Sequence, residues 1–541
     1  MGTKVNSNYE DLISFVRASG GGRATALRPV SYGTELVTNG AFDDSSALDD
    51  WTANNANLSI NNQRLEVENS GSSQGTASQS ITTEVGKIYK ASFDVVKISG
   101  EGNPIVRLGV SNGGAEYYSI AHSSDATISF IFTPTTTTTF WTLYTGSSTS
   151  GFSAIFDNIS VKEVLFDQPD GTLTLFEHPE NVPRVEYDAD GNRLGLLVEE
   201  ARTNLVTYSE DFSNSYWGKN ALSVTKKTGI VAPDGSENVY HLQEDTNNLQ
   251  HQLSVTLTAG THAFSVFAKG DGSGRYLKLY GYGLGSSSEA PVFDVDNGIV
   301  YEPPTQTHFL SASIQDVGNG WYRCSLRADT DGGSGSPTFA LVDATDSHGT
   351  AGYTGDGTSG VYLYGAQVEA GSFPTSYIKS NSGSTTTRSA DVASIPVADF
   401  GYNTAVGSVV AEYLPTKVDA TIRAVFELVK DTNDKLYSAS ATIRHWFVKS
   451  GNTVQANLDL GSSTEDQSNK IAGAYKLNDF AASLDGASVN TDTSGSVPTG
   501  ITDLHIGGIK DSSSSYLNGH IKSIKYYPRR LTNAQLQELT S

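Results

Sequence analysis

Short runs of alternating apolar and polar residues recur along the whole chain, separated by turns rich in Gly, Ser and Asn. Leu58-Ser59-Ile60, Leu65-Glu66-Val67-Glu68, Tyr89-Lys90-Ala91-Ser92-Phe93-Asp94-Val95 and Ile128-Ser129-Phe130-Ile131-Phe132 each repeat with period two. So do Leu253-Ser254-Val255-Thr256-Leu257 and His262-Ala263-Phe264-Ser265-Val266-Phe267. Such alternation predicts half-buried antiparallel strands, one face on a core and one toward solvent. Asp296-Asn297-Gly298 marks the turn of a hairpin running from Val292 to Tyr301, and Asp190-Gly191-Asn192 marks a second tight turn. The last dozen residues carry the clearest helical signal. There Thr532 stands as N-cap with Gln535 three residues on.

The strand pattern repeats at a larger scale. Thr38-Asn39-Gly40-Ala41-Phe42 with Trp51, and Thr203-Asn204-Leu205 with Phe212 and Trp217, open two blocks in similar ways. Phe156-Asp157-Asn158-Ile159-Ser160-Val161 and Tyr364-Gly365-Ala366-Gln367-Val368 close them with matching strands. This degenerate repeat predicts two β-sandwich modules of one type and a third, different block. Residues 1–34 read as an N-terminal arm or attachment segment, broken by Gly20-Gly21-Gly22. Residues 35–165 read as the first jelly roll, 166–203 as a connector and 204–379 as the second jelly roll. Residues 380–541 read as a Ser/Thr/Gly linker followed by the last sandwich. The fold class is all-β: serial antiparallel jelly-roll modules with a C-terminal lectin-like sandwich.

Composition agrees with strands joined by polar turns. The 541 residues include 54 Gly, and 37% are hydrophobic, so the cores are thin. The net charge of -23 repels nucleic-acid phosphates and anionic lipid headgroups. Cys324 is the only cysteine, so no intramolecular disulfide is expected, and its apolar strand-like setting predicts a small buried hydrophobe. No run of about twenty apolar residues is present, so no membrane insertion is expected. The N-terminus does not read as a signal peptide, which points to folding in a cytoplasm.

The residues carry little catalytic signal. There is no nucleophile elbow, zincin helix or phosphate-cradling loop, and ten scattered His show no zinc spacing. Glu199 and Glu200 are strand neighbours that point to opposite faces and cannot flank one glycosidic bond. Asp188 to Glu199 superficially matches a calcium loop, but Arg193 stands where that loop needs Gly. The chain is therefore expected not to be an enzyme. Sugar rings stack on aromatic faces while their hydroxyls pair with Asp, Asn, Gln and Arg. On that basis Tyr117, Tyr118, Trp141 and Tyr144 in the first module, and Tyr280, Tyr282 and Tyr353 in the second, are the candidate sugar-binding residues. Trp51, Trp217 and Trp321 fall in repeated framework positions and are expected in the cores.

The string Gly195-Leu196-Leu197-Val198-Glu199-Glu200-Ala201-Arg202-Thr203-Asn204-Leu205 resembles a motif of bacteriophage tail and fibre proteins that precedes a carbohydrate-binding-module-like jelly roll. Gly320-Trp321-Tyr322-Arg323 and the leader's Phe15-Val16-Arg17-Ala18-Ser19 resemble parts of the same pattern. Against that pattern the first sandwich is an insertion, placed between the leader and Pro183-Arg184. Residues 35–165 resemble carbohydrate-binding modules with an Asn-Gly-x-Phe opening. The last block, with Leu517-Asn518-Gly519-His520, resembles concanavalin or laminin-G sandwiches. The resemblance implies a non-enzymatic virion appendage, a tail fibre or a head or tail decoration, made in the host bacterial cytoplasm. It would dock on other virion proteins through its N-terminal segment, assemble as a homotrimer and touch a host cell-surface glycan. It requires no cofactor, but related modules hold a structural calcium, for which Asn39, Asp43 and Asp157 are the candidates. The alternatives are a purely structural virion component making protein contacts and an appendage glycan hydrolase.

Overall fold

The computed structural model describes residues 13–17, 24–43, 48–257, 262–281, 290–303, 309–328, 337–345, 348, 352–380, 383–441, 444–461 and 465–541. Two compact units are present. Pro29–Thr172 form the smaller one, and residues 1–28 with Leu173–Ser541 form the larger. The smaller unit is thus inserted within the chain of the larger.

The inserted unit is a sandwich of two antiparallel sheets. One runs Thr52–Asn54, Thr76–Thr82, Thr138–Tyr144, Ile105–Gly109, Tyr118–Ala121. The facing sheet is built around Ala126–Phe132, Tyr89–Val96 and Ser153–Phe166. Strict alternation in Tyr89–Val96 buries Tyr89, Ala91, Phe93 and Val95, the geometry that period-two patterning demands. Phe42 packs on Trp51 with ring centroids 5.7 Å apart, and Trp141 packs edge-on to Phe93 at 5.9 Å.

The opening and closing strands explain each other. Asn158 lies at φ 50° and the ladder slips between Asp157 and Ser160, a bulge that Asn tolerates better than most residues. The Ile159 N–H beyond it donates to Gly40 O at 2.9 Å. A Cβ on Gly40 would fall 1.9 Å from the Ile159 carbonyl oxygen, so only glycine fits. The second jelly roll repeats the device. Gly365 lies at φ 57° at a slip in its own closing strand, and the Ala366 N–H donates to Ser209 O at 2.8 Å. Phe212 and Trp217 pair at 5.3 Å as Phe42 and Trp51 do.

That second jelly roll has a sheet of Gly218–Asn220, His251–Ser254, Pro337–Val342, Tyr276–Gly281, Val292–Asp294 and Ile299–Tyr301. Facing it are Leu222–Lys227, Val239–Glu244, Gly360–Ala370, His262–Gly270, Tyr322–Ala328 and Phe309–Asp316. Cys324 is buried between the sheets, as are Trp217, Leu242 and Phe339. The C-terminal sandwich pairs two seven-stranded sheets over a core of Trp446, Phe426, Tyr413 and Tyr475. Helix Asn533–Thr540 lies on it, capped by reciprocal bonds between Thr532 and Gln535, with Leu536 buried.

Two segments differ from their sequence expectation. The expected arm, described over 13–17 and 24–34, is made of strands: Phe15 pairs with Ala393 in an edge strand of the C-terminal sandwich and is buried in that core, and Ala24–Glu35 pairs with Ser153–Phe166. The expected connector supplies the hairpin Val185–Tyr187 and Arg193–Val198, which extends the other sheet through Leu196 opposite Ile521. The turn expected at Asp190-Gly191-Asn192 joins the two strands of this hairpin; what the sequence did not show is that it and the leader strand complete sheet edges of the C-terminal sandwich.

These segments are tied together by buried ions. The Arg184 guanidinium meets Glu199 at 2.8 Å, pairs closely with Asp391, and donates to Thr25 O at 3.0 Å and Ser376 Oγ at 2.7 Å. Arg17 reaches Asp391 at 3.5 Å and Arg388 reaches Glu199 at 3.5 Å. Burial alone would raise the Glu199 pKa, but Arg388, Arg184 and two Ser376 hydrogen bonds hold it well below the usual carboxylate range.

A carboxylate stabilised in this way adds to folding above its unfolded pKa of about 4.3, and that contribution fades as pH falls toward the folded value. Stability to urea is therefore expected to drop steeply below about pH 4. At neutral pH, Asp391→Ala is expected to cost about 3–5 kcal/mol, because Arg184 and Arg17 lose a buried partner. Equilibrium unfolding checks both. A second expectation concerns the insertion, whose ends adjoin: the Asp167 N–H donates to Pro29 O at 3.0 Å. Replacing Val30–Asp170 by a short glycine-containing link is expected to leave a cooperatively melting protein, read by calorimetry.

Candidate functional site

On the five-stranded sheet of the inserted unit, parity decides which side chains face outward. Trp141 and Leu143 point into the core, so Phe140, Thr142 and Tyr144 lie on the other face. Thr142 stands between Ser78 and Arg107 on the neighbouring strands, and Tyr144 between Thr76 and Ile105. The Arg107 guanidinium lies 4.9 Å from the Tyr144 ring centroid, and its Nη1 donates to Gly113 O at 3.1 Å and to the Tyr144 hydroxyl at 3.4 Å. Such cation–π stacking seats the guanidinium over one face of the ring and fixes both groups.

A loop, residues 110–117, folds back over this face. The Val110 N–H donates to Glu116 Oε2 at 3.0 Å, and that bond is the main reason the Glu116 carboxyl lies below its ordinary pKa. A Cβ on Gly109 would fall 2.3 Å from Glu116 Oε2, so glycine lets the loop close. Asn112 donates to Ser78 Oγ at 3.1 Å and accepts from Thr142 Oγ1 at 3.2 Å. The result is an open platform: one half-buried aromatic ring, one cation, an amide and hydroxyls.

The other candidates divide by environment. Trp141 is fully buried and offers no face to a ring; its odd spacing from Tyr144 puts it inside. Tyr118 stacks on Phe130 at 4.5 Å and Tyr117 on Phe132 at 5.1 Å, so the pair closes the sandwich edge between the two sheets. Burial pushes the Tyr118 hydroxyl up to about 12. In the second jelly roll, Tyr280 faces outward, donates to Gln252 Oε1, and carries Lys278 Nζ 5.2 Å from its ring. Burial lowers that ammonium to about 8 and raises the Tyr280 hydroxyl to about 12. Tyr353 donates to Glu244, which also takes both Arg275 nitrogens at 2.7 Å, so this ring belongs to an ion-pair network. Burial, then Glu244, pushes its hydroxyl well above the usual range. Tyr282 lies outside the described residues.

Asn39, Asp43 and Asp157 sit where the opening and closing strands meet. Burial, then Asp94 and Asp43, raise the Asp157 carboxyl, while the Asn158 N–H and Arg64, 3.7 Å away, lower it. Among the described residues, no three His, Cys, Asp or Glu gather as a ligand set. Glu199 is held in the ion cluster, and Glu200 pairs with Arg202 at 2.7 Å and accepts from Asn518 at 3.0 Å. Arg107, Asn112 and Ser78 escaped the sequence reading, because only cross-strand register brings them beside Tyr144.

A scan against protein-family models finds no match, and a search of curated proteins finds none. Among solved structures, a Ruminococcus gnavus sialidase CBM40 bound to sialyllactose aligns at 16% identity, covering 26% of this chain and 84% of its own, with TM-score 0.23. The CBM22 tandem domain from Paenibacillus barcinonensis aligns at 10% identity over 64% of this chain and 100% of its own, with TM-score 0.21. Mouse laminin α1 domains LG4-5 align at 10% identity over 64% and 96%, with TM-score 0.19. The assignment to all-β serial sandwiches rests on the strand order and register described above.

Burial separates the two aromatic roles. Trp141→Ala is expected to destabilise the inserted unit by about 3–5 kcal/mol. Tyr144→Ala, which loses only a half-exposed stack, is expected to cost about 1 kcal/mol or less. Urea titration of the two variants checks the contrast.

Proposed function

We propose that this chain is a non-enzymatic bacteriophage virion appendage, a tail fibre or a head or tail decoration, that presents its sandwich modules to a host-surface glycan. The resemblance of Gly195–Leu205 to tail and fibre proteins supports the virion half. The platform of Tyr144, Arg107, Asn112 and Thr142 carries the glycan half. A sugar ring lays its C–H face on Tyr144, while Arg107 and the neighbouring amide and hydroxyls meet its hydroxyl groups. Such a shallow site binds weakly by itself. Display on a homotrimer and in many copies per particle raises the effective affinity by a factor on the order of 10²–10⁴. Docking on the particle through residues 1–34 belongs to the same proposal.

The acidic residues suit binding better than hydrolysis. Glycosidases place two carboxyl groups about 5–9.5 Å apart across an open bond site. Of the adjacent pair here, Glu199 is buried among arginines and Glu200 is tied to Arg202 and Asn518.

A glycan array probed with a multimeric form of the full chain tests the proposal. The expected result is binding to a bacterial surface saccharide that weakens about tenfold, or roughly 1.4 kcal/mol, in Tyr144→Ala and in Arg107→Ala. An array on which the parent protein binds nothing refutes the glycan half. Antibody labelling that fails to find the chain on particles refutes the virion half.

A further inference from the structure

The larger unit holds a cleft of ≈ 510 Å³ between the second jelly roll and the C-terminal sandwich. Its volume falls in the range of small-molecule sites, about 300–1,000 Å³. One wall is the outer face of strands Phe309–Asp316 and Tyr322–Ala328, where Ser311 pairs with Arg327, Ser313 with Ser325, and Gln315 with Arg323. Cys324 and Leu326 point into the core, so Arg323, Ser325 and Arg327 form one outward row. The opposite wall is built from the C-terminal sandwich and includes Glu186, Asp466, Asn518 and His520.

Part of this polar lining is already committed. Arg327 meets Glu465 at 3.2 Å and Lys417 meets the same carboxylate at 2.6 Å, which joins the two walls. His520 Nε2 pairs with Glu186 at 2.6 Å; its Nδ1 has no partner among the described residues, although the side chain is only 8% exposed. Glu199, Thr375, Ser376 and Asn518 are hydrogen-bonded as well, but the jelly-roll wall is freer. Arg323 uses only Nη2, on Ser265 Oγ at 2.9 Å and Thr375 O at 2.7 Å. The side chains of Ser311, Ser313, Gln315 and Asp466 make no hydrogen bond among the described residues.

Charge selects the ligand class. Arg323, Arg327 and the adjoining Lys417 offset Glu186, Glu465 and Asp466 one for one, and Glu199 is neutralised by Arg184 and Arg388, so neither an anion nor a cation gains from the field of the cleft. The free groups are a mixture of donors and acceptors, set beside the apolar side chains of Leu194 and Leu414. Hydroxyl groups, which donate and accept at once, match such a lining on a ring that has an apolar face.

We propose that this cleft binds a neutral mono- or disaccharide, held by Arg323, Gln315, Ser313 and Asp466. The proposal shares its ligand class with the function proposed above but uses a separate site on a different unit, so each can fail alone.

Saturation-transfer NMR on the full chain tests it, with glucose, galactose, mannose, rhamnose, N-acetylglucosamine, maltose, cellobiose and lactose as probes. The expected result is transfer to at least one sugar that persists in Tyr144→Ala. In Ser313→Trp, which fills the cleft from an exposed strand position, affinity is expected to fall about tenfold with the melting temperature unchanged. Gln315→Ala, at another exposed position, replaces it if the tryptophan disturbs folding. The proposal is overturned if no probe shows transfer, or if transfer survives the cleft variants undiminished. Transfer lost only in Tyr144→Ala would overturn the cleft and leave the platform standing.

Discussion

The larger unit is organised around one buried electrostatic knot. Arg184 and Asp391 are both fully inaccessible to solvent, and the backbone amide of Glu199 donates to Asp391 at 3.0 Å while the Asp391 amide donates back to the Glu199 carbonyl at 2.9 Å. Removing such charges from water costs several kcal/mol per ion, which is recovered only if nearly every lone pair and proton finds a partner. The partners come from stretches far apart in the chain: Arg17 in the leader, Arg184 and Glu199 in the hairpin segment, Ser376 at the end of the second jelly roll, and Arg388 with Asp391 beyond the linker. Satisfying them all requires these segments to be docked together. The knot therefore selects one register for the chain where apolar contacts alone would accept several.

This gives a physical meaning to the motif that carried the family resemblance. Gly195 lies at φ 127° with its Cα against the Ile521 carbonyl, where a Cβ would come within 2.3 Å of oxygen. Arg202 stacks on Phe373 at 4.5 Å. The fully buried Asn204 amide donates to Ala366 O at 3.1 Å and Ile378 O at 2.8 Å and accepts from the Val206 and Val368 N–H groups. The string meets the C-terminal sandwich at Gly195 and the second jelly roll at Arg202 and Asn204, and so joins the two. The motif is thus a structural joint.

Local pattern revealed the sandwiches, the buried Cys324, the framework tryptophans and the capped terminal helix, because each is decided by neighbours in sequence. Parity within a strand also separates Trp141 from Tyr144, since residues an odd number apart face opposite sides. What stayed hidden depends on pairing between distant strands. Phe15-Val16 is too short to announce itself, and the extended segment Val185-Glu186-Tyr187 gave no sign of the sheet whose edge it completes. Arg107 beside Tyr144, and Arg323 facing Asp466 across a cleft, follow from register and module docking, which no single stretch of residues encodes.

The adjoining ends of the inserted sandwich carry an evolutionary consequence. Pro29 and Gly171 lie side by side, the Cβ position of Gly171 being 3.1 Å from the Pro29 carbonyl carbon. Two genetic crossovers at those positions would exchange the whole inserted sandwich while leaving untouched every residue of the electrostatic knot. A lineage carrying this chain could so replace one entire module in a single recombination event, with the host scaffold inherited intact.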